Sequence, residues 1–401
     1  MKYDVVILGL GYIGLPTSAV LAKNNFKVLG VDTNPLIVDT VNDGKIHIIE
    51  PELPEIVAKV VKEGNLKAST KLLEADVYII VVPTPFDDNY NPDISFVVSA
   101  TESVIPLLKE NDLFIIESTC PIGTTENIKQ IIFSKRPKLK GKINIAYCPE
   151  RVLPGNIVKE LIYNDRVVGG IDKKSTKVAK NFYSKFVRGE VYETNSKTAE
   201  MCKLVENSSR DVQIAFANEL SMICKEANID VWELIDLANK HPRVNILSPG
   251  SGVGGHCIAV DPYFIINKFP KQSKLISTSR NVNLFKTDWC INEILNKINH
   301  FKKINNRLPN IGLMGLSFKP DVDDFRESPS LKIVENLHKN YDKNLIKVSE
   351  PNLSHHQDFE LSEPHVCVQN SDIIVFLVSH SDFKNLEINN KLVIDFCGIN
   401  K

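Results

Sequence analysis

The sequence predicts an α/β protein in three parts. These are an N-terminal Rossmann-type doubly wound domain (residues 1–195), a central long-helix domain (196–303) and a smaller C-terminal Rossmann-like domain (304–401). Three observations carry that reading. Short, near-continuously apolar runs alternate with amphipathic stretches at both ends of the chain, as strands buried on both faces of a parallel sheet require. A glycine fingerprint closes the first of these runs. Between the two ends the hydrophobic period changes to helical spacing over a length no strand reaches.

Strands of the first domain are expected at 3–8, 27–31, 77–82, 113–117 and 143–148. In the centre, Met201, Leu204, Val205, Val212, Ala215, Phe216, Leu220 and Ile223 recur at helical spacing and predict one long helix over 196–227. Further helix is expected at 231–239 and at about 274–298, and a helix of this length between two sheet domains often serves as a spine or a dimer contact. The polar run 302–310 reads as a linker. Apolar runs at 311–316, 345–349, 372–378 and 391–396 make the last domain α/β again, without a full glycine fingerprint.

Composition narrows the function. Lys+Arg 48 against Asp+Glu 49 removes the bulk electrostatic argument for nucleic acid or an anionic membrane surface. The eight cysteines include no C-x-x-C pair, so neither a zinc ribbon nor a thioredoxin-type motif is expected, and no metal site is predicted. No apolar run of ~18 residues interrupts the chain, and free thiols in a cytoplasmic protein are the expectation.

The motif Gly9-Leu10-Gly11-Tyr12-Ile13-Gly14 follows the first strand and opens a helix pattern, where glycines permit a tight turn and close approach of a pyrophosphate to the helix N-terminus. Asp32 closes the second strand at the position that accepts from ribose hydroxyls and repels a 2′-phosphate, which predicts NAD over NADP. Pro83 and Thr84 after the third predicted strand, and Thr119 after the fourth, belong to the same edge, although the prolines could be simple chain punctuation. In Pro249-Gly250-Ser251-Gly252-Val253-Gly254-Gly255-His256-Cys257, four glycines build a backbone able to fold closely around a ligand and present a thiol. A thiol in a dehydrogenase can add to an aldehyde and carry it to a thioester; a buried core cysteine is the alternative. Lys203 and Asn207 are i, i+4 on the long helix and can stabilise an oxyanion together, or Lys203 is a solvated charge. Asp261 could act near the thiol or cap a helix before Pro262. His256 is read as structural, since an adjacent residue in extended chain points to the opposite side.

The segments GLGYIGLP, VPTPF, ESTCPIGTTE, AYCPERVLPG, TAEMCKLVENSSRD, HPRVNILSPGSGVGGHCIAVDPYF and SFKPDVDDFRESPS, in this order over about residues 3–398, resemble the NAD-dependent nucleotide-sugar 6-dehydrogenases. The resemblance implies a four-electron oxidation of a UDP-sugar C6 alcohol to the carboxylate with two NAD. UDP-N-acetyl-D-mannosamine is the expected substrate, with UDP-N-acetylglucosamine and UDP-glucose as alternatives. It further implies Cys257 as nucleophile, Lys203 and Asn207 as the pair polarising the C6 oxygen, Asp261 as support for water activation, and Glu150 with Thr119 as acid/base and water-positioning groups. NAD contacts are implied at Gly9, Gly11, Tyr12, Ile13, Gly14, Asp32, Pro83, Thr84, Thr119 and Arg326. Sugar-nucleotide contacts are implied at Glu150, Arg151, Val152, Leu153, Lys203, Asn207, Arg210, Arg243, Gly254, Phe318 and Lys319, and a homodimer or higher homo-oligomer is expected.

Three positions depart from the pattern. Ser209 replaces an aromatic before Arg210-Asp211, Ser251 replaces a proline, and Cys120 places a possible second thiol beside Thr119. A non-catalytic nucleotide sensor and a two-electron β-hydroxyacid dehydrogenase are the competing readings; neither needs the thiol.

Overall fold

The computed structural model describes residues 2–87, 90–153 and 155–399. The chain forms two compact units, Met1–Val205 with Tyr263–Lys268, and Glu206–Pro262 with Phe269–Lys401. The boundary between them falls inside the long helix Ser196–Ala227.

The first unit is built on eight strands: β1 (Tyr3–Leu8), β2 (Val28–Val31), β3 (Leu66–Ser69), β4 (Ala75–Ile80), β5 (Leu113–Ile116), β6 (Asn144–Tyr147), β7 (Arg166–Gly170) and β8 (Val191–Asn195). Their order is β3-β2-β1-β4-β5-β6-β7-β8, parallel except for the antiparallel β6–β7 step. Successive residues of β1 enter opposite cores: Val5 and Ile7 pack on one face of the sheet, Val6 and Leu8 on the other. That two-sided burial is why the strand reads as one apolar run. Helices α1 (Gly14–Lys23), α2 (Pro35–Asn42), α3 (Leu53–Lys62), α4 (Ser95–Val104), α5 (Thr124–Lys135), α6 (Ile157–Tyr163) and α7 (Lys173–Tyr183) connect the strands, and α8 (Ser196–Ala227) follows.

Three strands escape the sequence pattern. β3 and β8 lie at the two edges, where Lys67, Tyr192 and Glu193 are exposed and no continuous apolar run is needed. β7 opens on a buried charge, Arg166, and ends in two glycines, so it offers no continuous apolar run.

The second unit contains most of α8, then α9 (Val231–Ala238) and α11 (Lys274–Asn305); α10 (Asp261–Lys268) crosses its boundary with the first unit. A four-stranded parallel sheet follows, ordered β10-β9-β11-β12 from β9 (Ile311–Met314), β10 (Ile346–Ser349), β11 (Ile373–Phe376) and β12 (Leu392–Asp395), with α12 (Pro329–Asn340) and α13 (Pro364–Gln369). The expected linker at 302–310 begins later than predicted. α11 continues to Asn305 because Phe301 is buried, and it stops at Asn306 in the left-handed conformation (φ 51°) that terminates helices.

Within the second unit, α8 and α11 are joined by a buried polar chain that the sequence did not reveal. Asp211 and Arg280 are both buried and pair at 2.6 Å, and Asn283 Nδ2 donates to the same carboxylate oxygen at 2.8 Å. Asn218 in turn donates to Asn283 Oδ1 (2.9 Å) and accepts from Gly250 N (2.9 Å), so the chain of contacts reaches the glycine-rich loop. Removing one partner of a buried ion pair strands the other charge. Asp211→Ala should therefore destabilise this unit by about 3–5 kcal/mol, measured by urea unfolding; a change under ~1 kcal/mol would show that Arg280 finds solvent instead.

Candidate active site

In the first unit, the turn after β1 is defined by three glycines with three different reasons. Gly9 has φ +96°, and a Cβ there would lie 2.4 Å from Val81 O; at Gly14 it would lie 1.8 Å from Gly9 O. Both are demanded by the protein's own packing. A Cβ at Gly11 would meet nothing within 4 Å. The protein gives no internal reason for that glycine, and an open cradle at the entrance to α1 is what a dinucleotide pyrophosphate needs. The first turn of α1 carries no acidic residue and no side-chain cap that would compete with an anion at that helix end. The half-buried Asp32 accepts from Leu10 N and Asn34 N, each at 2.9 Å, and so holds the turn from the end of β2. Ile13 is the residue before α1, and Tyr12 beside it is 47% exposed. Pro83 is exposed and Thr84 half-buried in the segment after β4, the strand that pairs with β1. These residues fit a dinucleotide.

The same edge carries Thr119 after β5 and Glu150 after β6. Thr119 is half-buried; the neighbouring Ser118 hydroxyl donates to Val82 O at 2.7 Å. Glu150 accepts from Arg151 N (2.7 Å) and from the buried Arg166 guanidinium (3.0 Å). Leu153 N donates to Glu160, and Gly155 N and Ile157 N both donate to Glu50, a buried carboxylate that anchors the entry to α6. Glu200, fully buried on α8, accepts from Gly123 N, Thr125 N and Thr125 Oγ1 and caps α5 from a distance. Glu50 lies outside the family-like segments and Glu200 inside one of them, but neither is marked by its local pattern. Cys120 is fully buried, and desolvation with the nearby Glu200 charge pushes its thiol well up, away from reactivity. Lys203 is half-buried one turn further along α8, and Asn207 follows it at i+4.

In the second unit, Cys257 heads a turn rather than sitting in a core. Val260 N and Asp261 N donate to its carbonyl at 3.0 and 2.8 Å, and α10 begins at Asp261. The buried Asp261 carboxylate accepts from Asn207 Nδ2 at 2.5 Å. Two of the predicted residues are thus in direct contact and a third is one turn away. The glycines before the thiol permit contact with the 318–329 segment. A Cβ at Gly254 would lie 2.7 Å from Phe318 Cβ and one at Gly255, itself at φ +83°, 2.8 Å from the Phe318 ring; Gly255 N donates to Arg326 O at 2.9 Å. Ser251 is buried, shares a hydrogen with Ser330 at 3.1 Å, and its carbonyl accepts from Thr287, so the loop is held without the proline. His256 is exposed, with Nδ1 3.9 Å from Asp324. Arg326 chelates Asp324 through Nε (2.9 Å) and Nη2 (2.5 Å), while Lys319 is exposed. Arg210 and Arg243 stand exposed, the latter in a loop closed by Asn239, which bonds both N and O of Ile246.

The C-terminal sheet repeats the geometry of the N-terminal turn. Gly315 follows β9 at φ +99°, its N–H donates to Ser349 O at 2.8 Å, and Glu350 after β10 accepts from Leu316 N at 2.7 Å, as Asp32 does from Leu10 N. There the likeness stops. Glu350 also accepts from Ser317 N and meets the buried His380 Nε2 at 3.1 Å, and Asp321 N donates to His380 Nδ1 at 3.0 Å. This buried pair, absent from the sequence reading, holds the base of the segment that bears Phe318 and Lys319.

Residues 3–187 match the NAD binding domain of the UDP-glucose/GDP-mannose dehydrogenase family, 197–284 its central domain and 312–401 its UDP binding domain. A UDP-N-acetyl-D-mannosamine dehydrogenase from Escherichia coli (strain K12) is 46% identical over 416 residues, covering 98% of each chain. An NDP-N-acetyl-D-galactosaminuronic acid dehydrogenase from Ralstonia nicotianae is 45% identical over 98% of this chain and 96% of that one. The solved UDP-N-acetyl-mannosamine dehydrogenase from S. aureus shares 40% identity at a TM-score of 0.87, covering 100% of this chain and 96% of that chain. The turn geometry yields a test: Gly11→Val should keep the melting temperature of the parent and weaken NADH binding at least tenfold by fluorescence titration. Intact binding would mean that no ligand approaches Gly11.

Proposed function

The chain belongs to the UDP-glucose/GDP-mannose dehydrogenase family, and from that premise we propose that it oxidises the C6 alcohol of UDP-N-acetyl-D-mannosamine to UDP-N-acetyl-D-mannosaminuronate. The observation that carries the reading is the turn from Cys257 to Asp261, with the Asp261 carboxylate bonded to Asn207. A sensor or a two-electron dehydrogenase has no use for a thiol so presented. When bound, NAD+ accepts the hydride from C6 in each of two oxidations.

The protein's own groups do the rest. Lys203 and Asn207 donate to the C6 oxygen as it takes up negative charge. The Cys257 thiolate adds to the aldehyde carbon, forming a C–S bond; loss of the second hydride leaves a thioester. Water attacks this carbon with Asp261 supporting its activation, Glu150 and Thr119 keep the acid/base and water-positioning roles that the resemblance implies, and the C–S bond breaks to regenerate the thiolate. One alcohol, one water and two NAD+ become one carboxylate, two NADH and three protons.

Arg243, Lys319 and Arg326 supply charge for the diphosphate without a basic surface, in keeping with the near-zero net charge. Eight free cysteines suit a reducing, cytoplasmic setting, and among the described residues no helix is long and apolar enough to cross a membrane.

Self-association is also part of this reading. On α8, Phe216 and Ile223 are 52% and 54% exposed, and on α11 Phe285 is 55% exposed, an apolar face of the kind that homo-oligomers bury. Phe216→Asp with Phe285→Asp should shift the protein to monomer in light scattering after gel filtration; an unaltered mass would place the contact elsewhere.

Following NADH with UDP-N-acetyl-D-mannosamine, UDP-N-acetyl-D-galactosamine, UDP-N-acetylglucosamine, UDP-glucose and GDP-mannose in parallel tests the substrate. Two NADH per UDP-N-acetyl-D-mannosamine are expected, and turnover confined to another sugar would overturn the assignment. Cys257→Ser should abolish acid formation while retaining NAD; full turnover would sink the covalent route.

A further inference from the structure

In the second unit, the turn after β11 brings a fully buried imidazole, His380, against the segment that leaves β9. Its two nitrogens are told apart by their partners. Nδ1 accepts from Asp321 N at 3.0 Å and lies 3.2 Å from Asn352 Nδ2, and a backbone amide can only donate. Nδ1 therefore carries no proton. The ring hydrogen sits on Nε2, which donates to Glu350 Oε2 at 3.1 Å and faces Ser317 Oγ at 3.3 Å. Burial works to raise the Glu350 carboxyl, and the His380 bond with the amides of Leu316 and Asn352 more than offsets it, so Glu350 stays below the ordinary glutamate range and remains an acceptor.

The chain is wound around this ring. Ser317 Oγ donates to Lys319 O at 2.7 Å, and Ser381 N and Oγ donate to Asp321 Oδ1 at 2.9 and 3.0 Å. Asp321 stands at φ 58°, a left-handed conformation that a residue other than glycine keeps when its surroundings dictate it. The 317–321 segment is thus clasped in both directions, and it carries Phe318 into the thiol loop. Phe318 fills the space that Gly254 and Gly255 leave by having no side chains, Phe318 N donates to Asp324 O at 3.1 Å, and Cys257 stands two residues beyond Gly255. Bonded and packed atoms of one unit therefore connect His380 with the turn that presents the thiol.

We propose that His380 is a positioning residue: as the Nε2–H tautomer it fixes the 317–321 segment, and through it sets both the stance of Lys319 toward the sugar nucleotide and, by way of Phe318, the loop that aims Cys257. This rests on the reading of Cys257 as nucleophile and of Lys319 as a sugar-nucleotide contact. Packing alone does not call for an imidazole here, since an apolar side chain of similar volume fills such a space at no cost in desolvated polar groups. A buried polar cluster whose members satisfy one another instead specifies one arrangement of the chain.

Two variants that differ by one methylene separate this role from simple filling. His380→Asn puts an acceptor where Nδ1 stands, whereas His380→Gln reaches past it toward Glu350 and leaves Asp321 N unmatched. The Asn variant should keep kcat and the KM for UDP-N-acetyl-D-mannosamine within about threefold of the parent; the Gln variant should lose about 10- to 100-fold in kcat and gain about tenfold in that KM, with the KM for NAD unchanged. Alkylation of Cys257 by iodoacetamide, followed by mass spectrometry of its peptide, should slow in the Gln variant and not in the Asn variant. Long-range proton–nitrogen spectra of the parent, with His380 identified by the signals that vanish in the Asn variant, should show the proton on Nε2. Equal kinetics and alkylation in all three proteins overturn the proposal, as does a parent ring protonated at Nδ1. A loss that strikes NAD and sugar nucleotide alike also overturns it, since a merely structural residue gives that result. Full turnover by Cys257→Ser would remove the nucleophile reading, while the Cys257 alkylation rates and the ring spectra still decide whether His380 sets the loop.

Discussion

Both sheets of this protein depend on one contact: a carboxylate at the end of the second strand accepts the amide of the turn that leaves the first. In the N-terminal sheet Asp32 holds Leu10 N, and in the C-terminal sheet Glu350 holds Leu316 N. The turn must pass under the neighbouring strand end, which is why Gly9 and Gly315 take positive φ and why a Cβ at either would strike Val81 or Val378. With the turn fixed, the first helix or loop of each sheet is aimed, and the segments bearing Tyr12, Thr119, Glu150, Phe318 and Lys319 follow strands at those edges.

The same economy of side-chain volume builds the thiol loop. Gly254 and Gly255 bring backbone against Phe318, and the carbonyl of Arg326 receives Gly255 N. A substituent the size of a methyl group at either position would push Cys257 off its turn. Precision of this kind comes from absent atoms, and the polar chain from Gly250 through Asn218 and Asn283 to Asp211 supplies the rigidity that glycine cannot.

Much of this was legible in the residues. Two-sided strands announce themselves as apolar runs, the 32-residue helix by its period, and the turn and thiol loops by their glycines. What escaped notice has a common character. The edge strands β3 and β8 need no apolar run, and Glu50, Glu200, Asp211 and His380 act across sequence separations that no local pattern encodes. A glutamate capping a helix 75 residues away looks, in the sequence, like any helix surface charge. Ser209 and Ser251, the two serines that depart from the family pattern, sit beside buried networks: the Asp211–Arg280 pair does not involve Ser209, and Ser251 bonds Ser330 directly.

Two similar sheets in one chain also pose a sorting problem. A ribose diol looks for an uncommitted carboxylate at the end of a second strand. Among the described residues the half-buried Asp32 accepts from two turn amides alone and keeps capacity for such a guest, whereas Glu350 is enclosed by two turn amides, Asn352 and the His380 ring. The imidazole occupies the seat that a sugar would take. The C-terminal sheet thus carries its own resident plug, and a dinucleotide meeting this protein finds one doorway open and the other already filled.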